Sequence, residues 1–521
     1  MSRTPQQAYA ELIRREKERA LINSSAALLA WDERTCMPRS GASYRAEQLA
    51  YLARLAHEML TDPITGDLLA EAAELPAAQQ SHSPEAAVLR EIRRAYERAK
   101  KLPRSLVEEL ARATTLGQQA WEQARRTNNY ASFRPHLERI VQLKRQEAEA
   151  VGYETSPYDA LLDEYEPGET FENLRKLFAG LRQELGQIIG EVQATNRTPR
   201  RDILERDYPI PLQEVLARSA AVAIGFDFEA GRLDVTAHPF CSSVGPRDVR
   251  ITTRYNPRHF APAFFGVLHE AGHALYEQGL EPEHFGTPLG TPCSLGIHES
   301  QSRLWENQVG RSRPFWEHFF PRAQQMFVES LRDVTLDEFV FAINEVRPSL
   351  IRVEADEATY NLHILIRFEL EHALITGDLL PADLPEAWNE KYRQYLRLTP
   401  PDDAQGCLQD IHWSAGLFGY FPTYTLGNLY AAQFMEKARQ DLPNLEEQMR
   451  RGKFLDLRDW LRENIHRHGQ RYRAAELCRK VTGRGLSWEP FLTYLRNKYA
   501  QLYGIKAPSV SQPKPAVAKK K

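Results

Sequence analysis

The stretch Ala263-Phe-Phe-Gly-Val-Leu-His269-Glu270-Ala-Gly-His273-Ala-Leu-Tyr-Glu277 decides how the chain is read. Its apolar residues recur at helical spacing, and Asn256-Pro257 upstream supplies a helix-start signal. Residues four apart share one helical face, so His269 and His273 present two imidazoles about one turn apart. Two imidazoles in that relation reach one zinc-type ion, each at about 2.0–2.1 Å. Glu270 points to a neighbouring azimuth, where it can hold a water and take its proton, as in a metal-dependent peptidase. Gly272 costs about 1 kcal/mol in a helix interior, so it marks a close approach on that face. Val267, Leu268, Ala274 and Leu275 bury the motif, and two neutral core histidines on one turn would each otherwise need a hydrogen-bond partner.

A catalytic ion of this kind needs a third protein ligand and an open position. The segment Gly296-Ile-His298-Glu299-Ser-Gln-Ser-Arg303-Leu-Trp-Glu306-Asn307 lies far enough downstream for a loop and a second helix packed on the first. Glu299 is the expected third ligand, with His298 as the alternative and Glu306 behind it. A familiar pattern places an Asp four residues after such a Glu to brace a metal histidine. Arg303 stands there instead, so the brace is sought elsewhere, with Asp356 as the expectation.

Outward from the motif, helical periodicity dominates, most clearly over residues 5–30, 43–60, 85–127, 131–152, 170–194, 212–224 and 357–376. Turn-rich breaks fall at 37–41, 166–168 and 197–199. Residues 230–255 differ: β-branched and polar residues alternate around Gly245-Pro246, the signature of a hairpin just before the metal helix. No fixed-period repeat occurs. The fold class is therefore mainly α with a small β-element beside the metal-binding helix.

A chain of 521 residues buries a large core without disulfides, and its net charge of −3 calls for neither nucleic acid nor an anionic membrane. No apolar run approaches the roughly 18 residues of a membrane span. The polar N-terminal segment has no apolar signal region. Five scattered cysteines without a CxxC pair argue against a thiolate site or disulfide framework, and point to a cytoplasmic setting. The Pro- and Lys-rich tail from Lys506 is expected to be disordered.

Several ordered motifs together resemble the carboxypeptidase Taq family of metallocarboxypeptidases. They are His238-Pro239-Phe240, Asp248-Val-Arg250-Ile-Thr252, His269-Glu270-Ala-Gly-His273, His298-Glu299-Ser300-Gln301, Ile351-Arg352-Val-Glu-Ala355-Asp356 and Gly406-Cys-Leu-Gln409-Asp410-Ile-His412-Trp413. Leu28-Leu-Ala-Trp31-Asp32 with Met37-Pro38, and the segment from Tyr158 to Gly168, are also similar. The likeness covers residues 5–505. It implies a large helical peptidase with a deep active-site groove and a small sheet beside the metal helix. It also implies removal of single residues from peptide C-termini with broad preference, a zinc or cobalt ion, and a homodimer. Residues 1–505 are read as one domain, about 1–200 forming a helical arm and groove wall and 201–505 the catalytic core.

The chemistry needs a base and oxyanion donors. Glu270 is the expected general base and acid. His238, His412, Tyr420 and Tyr424 are candidates for a second oxyanion donor, the resemblance favouring a His or Tyr. An exopeptidase also captures a free carboxylate, which a guanidinium does best through paired bonds. Arg352 is the first candidate, on a stretch where Arg352, Asp356 and Tyr360 would share a helical face. Arg250 on the hairpin is second, ahead of Arg247 and Arg254. An extended peptide can add to a free edge of the hairpin. Asp248, Gln409, Asp410 and His412 are the remaining expected substrate-binding residues. His363 and His372 read as packing. Two competing readings are a metallo-endopeptidase or oligopeptidase on the same helical scaffold, and a non-enzymatic scaffold with a vestigial site.

Overall fold

Thr4 starts the first helix: its hydroxyl accepts the Gln7 amide, the Gln7 side chain returns a bond to the Thr4 amide, and Pro5 fits a first turn that needs no amide donor. The structure, a computed structural model, describes residues 3–507. The tail reading therefore falls largely on residues 508–521, outside those described. The chain begins with α1 (Pro5–Thr35), α2 (Ala42–Thr61), α3 (Pro63–Ala72) and α4 (Pro84–Lys101), followed by α5 (Arg104–Thr127). Residues 85–127, expected as one helix, split at Leu102-Pro103: Pro103 has no amide proton, and Leu102 before it is extended. Next come α6 (Tyr130–Val151), α7 (Pro157–Leu162), α8 (Phe171–Ala194) and α9 (Ile210–Ile224).

The expected hairpin is present as β2 (Cys241–Gly245) and β3 (Asp248–Thr253), with Arg247 in a left-handed turn conformation between them. It belongs to a three-stranded sheet: β1 (Gly231–Val235) lies parallel to β3 on its other side, Gly231 opposite Val249. Val249 and Ile251 point into the core, so β3 is pinned at the sheet centre and delivers the chain to α10 (Ala261–Glu277). After α10 follow α11 (Leu295–Arg303), α12 (Arg313–Met326), α13 (Val328–Leu331), α14 (Leu336–Ala342), α15 (Tyr360–Thr376), α16 (Leu384–Leu396) and α17 (Pro422–Asp441). The fold closes with α18 (Leu445–Arg450), α19 (Leu455–Asn464), α20 (Ala474–Thr482) and α21 (Glu489–Tyr503).

Two apolar cores are distinct. A small one joins Ala8 and Leu12 of α1 to Leu68, Leu69 and Ala72 of α3 and to Val88 and Ile92 of α4. The larger one contains Ala124, Leu137 and Phe178 together with the metal helix, so α5–α8 pack with the body although the sequence groups them with the arm. A cleft of about 910 Å³ opens between α1 and α4 on one side and the β2–β3 turn and the C-terminal end of α10 on the other. All five cysteines are free, and no described helix is long and apolar enough to cross a membrane.

Candidate metal centre and active site

α10 is buried on nearly every face: Phe264, Phe265, Val267, Leu268 and Leu275 sink into the core and fix its rotation. His269 and His273 then project to one side, their ring centroids 4.9 Å apart. Facing them is Glu299 on α11. Ser294 caps α11 by accepting the Ile297 amide, and the buried Glu166 carboxylate accepts from Ser294 Oγ and Gly296 N, both at 3.0 Å. Two glycines set how closely α11 is gripped. A Cβ at Gly272 would lie 2.6 Å from Gln301 O and Ser302 Cα, and one at Gly427 on α17 would lie 2.4 Å from Glu299 Cγ. The close approach inferred at Gly272 is thus the crossing of α10 and α11.

The Nε2 atoms of His269 and His273 lie 3.8 and 3.3 Å from Glu299 Oε2, and the three ligand atoms fall within 4.8 Å of one another. Two imidazole nitrogens and one carboxylate oxygen, with no fourth protein donor in that cluster among the described residues, fit a divalent ion that keeps an open position. Burial, followed by the neighbouring His298, pushes the His273 imidazole down to about 3, so it is neutral and free to ligate. Burial opposes charge on Glu299, but Arg303 and the imidazoles outweigh it and hold the carboxyl below its usual range. Glu270 is buried and makes no side-chain hydrogen bond to the described residues. Burial raises its carboxyl to about 7.

The brace is Glu306, not Asp356. His269 Nδ1 donates to Glu306 Oε2 at 2.9 Å, which directs the Nε2 lone pair inward. Glu306 sits in a π-helical segment, Leu304–Val309, that continues α11. It lies seven residues after Glu299, and the sequence reading held it only as a weaker candidate ligand. Asp356 instead caps the entry to α15, accepting from the amides of Arg347, Ala358 and Thr359. His298 is also outside the ligand cluster. It bonds Glu277 Oε1 at 2.9 Å and stacks on His273 with centroids 4.5 Å apart.

Arg352 is buried, though not on a helical face shared with Asp356 and Tyr360: it opens a 3-10 turn, and α15 begins only at Tyr360. Its Nε and Nη2 donate to Asp410 Oδ1 at 2.9 and 2.7 Å, and its Nη1 to Tyr360 Oη at 3.0 Å. Asp410 Oδ2 accepts from Arg367 Nε at 2.7 Å. One carboxylate therefore serves two buried guanidiniums. His412 Nε2 and Tyr424 Oη lie 3.1 Å apart, and burial, then Arg352, pushes His412 down to about 3. Tyr420 packs against Tyr165, His412 and Tyr424, and burial with the nearby Glu299 raises its phenol to about 12.

Other expected residues stand elsewhere. Gln409 accepts the Arg352 amide and donates to Leu350 O, Tyr392 Oη, Gln405 O and Gly406 O, so its amide is occupied within the loop. Arg250 pairs with Asp248 along β3 and lies 4.4 Å above the Trp31 ring of α1. His238 is exposed on the bend between β1 and β2 and makes no hydrogen bond to the described residues. His363 bonds Tyr392 in the core, and His372 stacks on Phe171. Arg367 enters the site without having been singled out, Arg303 was noted only as a missing acid, and Tyr360 only as a companion of Arg352.

The profile of the carboxypeptidase Taq (M32) metallopeptidases matches residues 11–499. Thermostable carboxypeptidase 1 of Thermus thermophilus is 51% identical over 96% of this chain and all of its own length. Carboxypeptidase 1 of Bacillus subtilis is 39% identical over 92% of this chain and 96% of its own. The crystal structure of an M32 carboxypeptidase from Deinococcus radiodurans superposes with a TM-score of 0.92, at 41% identity, covering 96% of this chain and all of the other.

Proposed function

Because the chain belongs to the carboxypeptidase Taq (M32) family of metallopeptidases, we propose that it hydrolyses the C-terminal bond of peptides using zinc held by His269, His273 and Glu299. The family makes it a metallocarboxypeptidase. We infer in addition a broad preference for the terminal residue. A divalent ion at the three ligands supplies Lewis acidity toward the scissile carbonyl and a nucleophile at neutral pH. Glu270 takes the proton of the attacking water and delivers it to the leaving amine, a role suited to a carboxyl raised to about 7. Tyr420, whose environment includes Glu299, donates to the developing oxyanion. His238 reaches the substrate backbone from its bend, and Asp248 and Arg250 line the way in. Cobalt is the alternative ion.

One observation carries the exopeptidase reading. Arg352 and Arg367 share the single carboxylate of Asp410, and all three are shielded from water. Buried charge without a partner is costly, so this triad is short of one negative charge, which a peptide's terminal carboxylate supplies. Gln409 holds the Arg352 backbone, and His412 with Tyr424 borders the same space. The test is a peptide and its C-terminally amidated twin. The free acid should be cleaved far faster, and equal rates would mean an endopeptidase.

The protein acts in the cytoplasm, a reading supported by its five free thiols. It forms a homodimer. Exposed Leu21 and Leu28 on α1, and Tyr44 and Tyr51 on α2, recur two turns apart and offer a face for a second copy. Light scattering after size exclusion measures this directly, and a monomer mass across the micromolar range refutes it.

A further inference from the structure

Arg303 occupies the position where an acidic brace was expected, and its contacts are specific. It is the last residue of α11, at the junction with the π-helical segment. Its Nε donates to Glu299 Oε1 at 2.6 Å, so Oε2 is left as the oxygen facing both imidazoles. Its Nη1 lies 3.4 Å from Glu306 Oε2, the same oxygen that accepts His269 Nδ1–H. The guanidinium face lies 4.4 Å from the centroid of Tyr360, whose hydroxyl accepts from Arg352. Only 14% of the Arg303 side chain is exposed.

Three carboxylates, Glu270, Glu299 and Glu306, crowd this region, and like charges in a poorly hydrated site repel. The nearby cations are Arg303 and Arg311, the latter 3.4 Å from Glu306 Oε1. Arg311 does not reach Glu299. Of these two cations, Arg303 is the one that touches both Glu299 and Glu306.

We propose that Arg303 is a positioning residue that reserves Glu299 Oε2 for the ion, steadies Glu306 against His269, and ties both through Tyr360 to the Arg352 pocket. The tie to Arg352 rests on the carboxypeptidase reading above, whereas the two contacts with the glutamates do not. By occupying Oε1, Arg303 leaves Oε2, which also accepts from Ser302 Oγ at 3.1 Å, as the oxygen that would face an ion between the imidazoles. Its planar fork spans two carboxylates while its face stacks on an aromatic ring. A lysine ammonium, a point charge on a flexible stem, does one of these at a time.

Arg303→Met and Arg303→Lys test the idea in the full-length enzyme. Zinc affinity is measured by chelator competition without substrate, integrity by urea unfolding, and kcat and KM with free-acid peptides at saturating zinc. Arg303→Met should bind zinc about 10–100-fold more weakly, the usual cost of losing a group behind a metal ligand. Arg303→Lys should recover much of that affinity yet keep a raised KM, because the stack on Tyr360 is not restored. Zinc affinity within twofold of wild type in a folded Arg303→Met overturns the proposal. If Arg303→Met does not fold, Arg303→Lys decides: unchanged zinc affinity together with unchanged KM overturns it. Should wild type cleave free and amidated peptides equally, the tie to Arg352 falls with the carboxypeptidase reading, and the zinc measurement still judges the two glutamate contacts.

Discussion

Gly427→Ala isolates the geometry of the third ligand with a single methyl group. In an ordinary helix this change stabilises by about 1 kcal/mol, because alanine loses less backbone entropy. At Gly427 the added carbon would stand 2.4 Å from Glu299 Cγ and 2.7 Å from its Cβ. Glu299 must retreat by about 1 Å to reach normal carbon–carbon contact. Overpacking of this kind costs about 1–3 kcal/mol, so the net loss of stability is only about 0–2 kcal/mol. The ion feels the shift far more. Ligand distances tolerate about 0.2 Å, and a 1 Å retreat takes Glu299 out of range. Zinc affinity should fall by at least the roughly 10–100-fold seen for lesser disturbances behind a ligand. Chelator competition reads the affinity and urea unfolding reads the stability. Gly190→Ala on α8 is the control: its added carbon meets nothing within 4 Å, and it should stabilise without touching zinc binding. If Gly427→Ala also stabilises and binds zinc like wild type, α17 does not hold Glu299 in place and the argument fails.

Glu270→Gln should retain zinc but lose about 10²–10⁴-fold in kcat, since it removes a proton acceptor and not a ligand; wild-type turnover in that variant refutes the role. Arg352→Ala should lower kcat/KM much more for free-acid peptides than for amidated ones, and equal losses would indicate a structural arginine. Glu306→Ala should weaken zinc binding about 10–100-fold by freeing the His269 ring, and undiminished affinity removes Glu306 as the brace. Burial raises the Glu166 carboxyl from 4.5 to about 7, so the folded protein holds this proton more tightly than the unfolded chain. That contribution is fully present below about 4.5 and is lost as pH rises through about 7, at most about 3 kcal/mol. Urea unfolding of Glu166→Gln should show a flatter decline over this window than wild type, and parallel curves contradict the assignment.

The three candidate ligands that the fold brings together are legible because helix geometry maps spacing onto a face whatever surrounds it. His269 and His273 needed only a helix, and Glu299 only a second helix packed on the first. The brace escapes the sequence because Arg303 does lie on the uninterrupted α11, and the acid that bonds His269 comes only beyond it, in the π-helical segment. The π-turn is made by backbone bonds such as Gly310 N to Trp305 O, which leave no side-chain pattern to read. For Arg352, the expected helical face shared with Asp356 and Tyr360 does not hold. A turn, not a shared helical face, brings it to Tyr360, and Asp356 stops the helix from running back to Arg352. Arg367 looked like one more charge in an apolar helix, and only the fold brings it to Asp410. The pairing of β1 with β3 was hidden likewise, since parallel neighbours are not joined by a tight turn.

The π-helical segment after Arg303 has a consequence of phase. Each α-helical residue advances about 100° around the axis, and a π-turn inserts one residue while the axis hardly advances. Upstream, the rotation of this rod is dictated by Glu299 and the ion site. Downstream, it is dictated by Leu304, Trp305 and Val309, all fully buried in the body. The surplus residue lets one rod obey both clocks. Deleting a single residue there would force a choice between a packed interior and a braced histidine, so this interval should tolerate substitutions far better than changes in length.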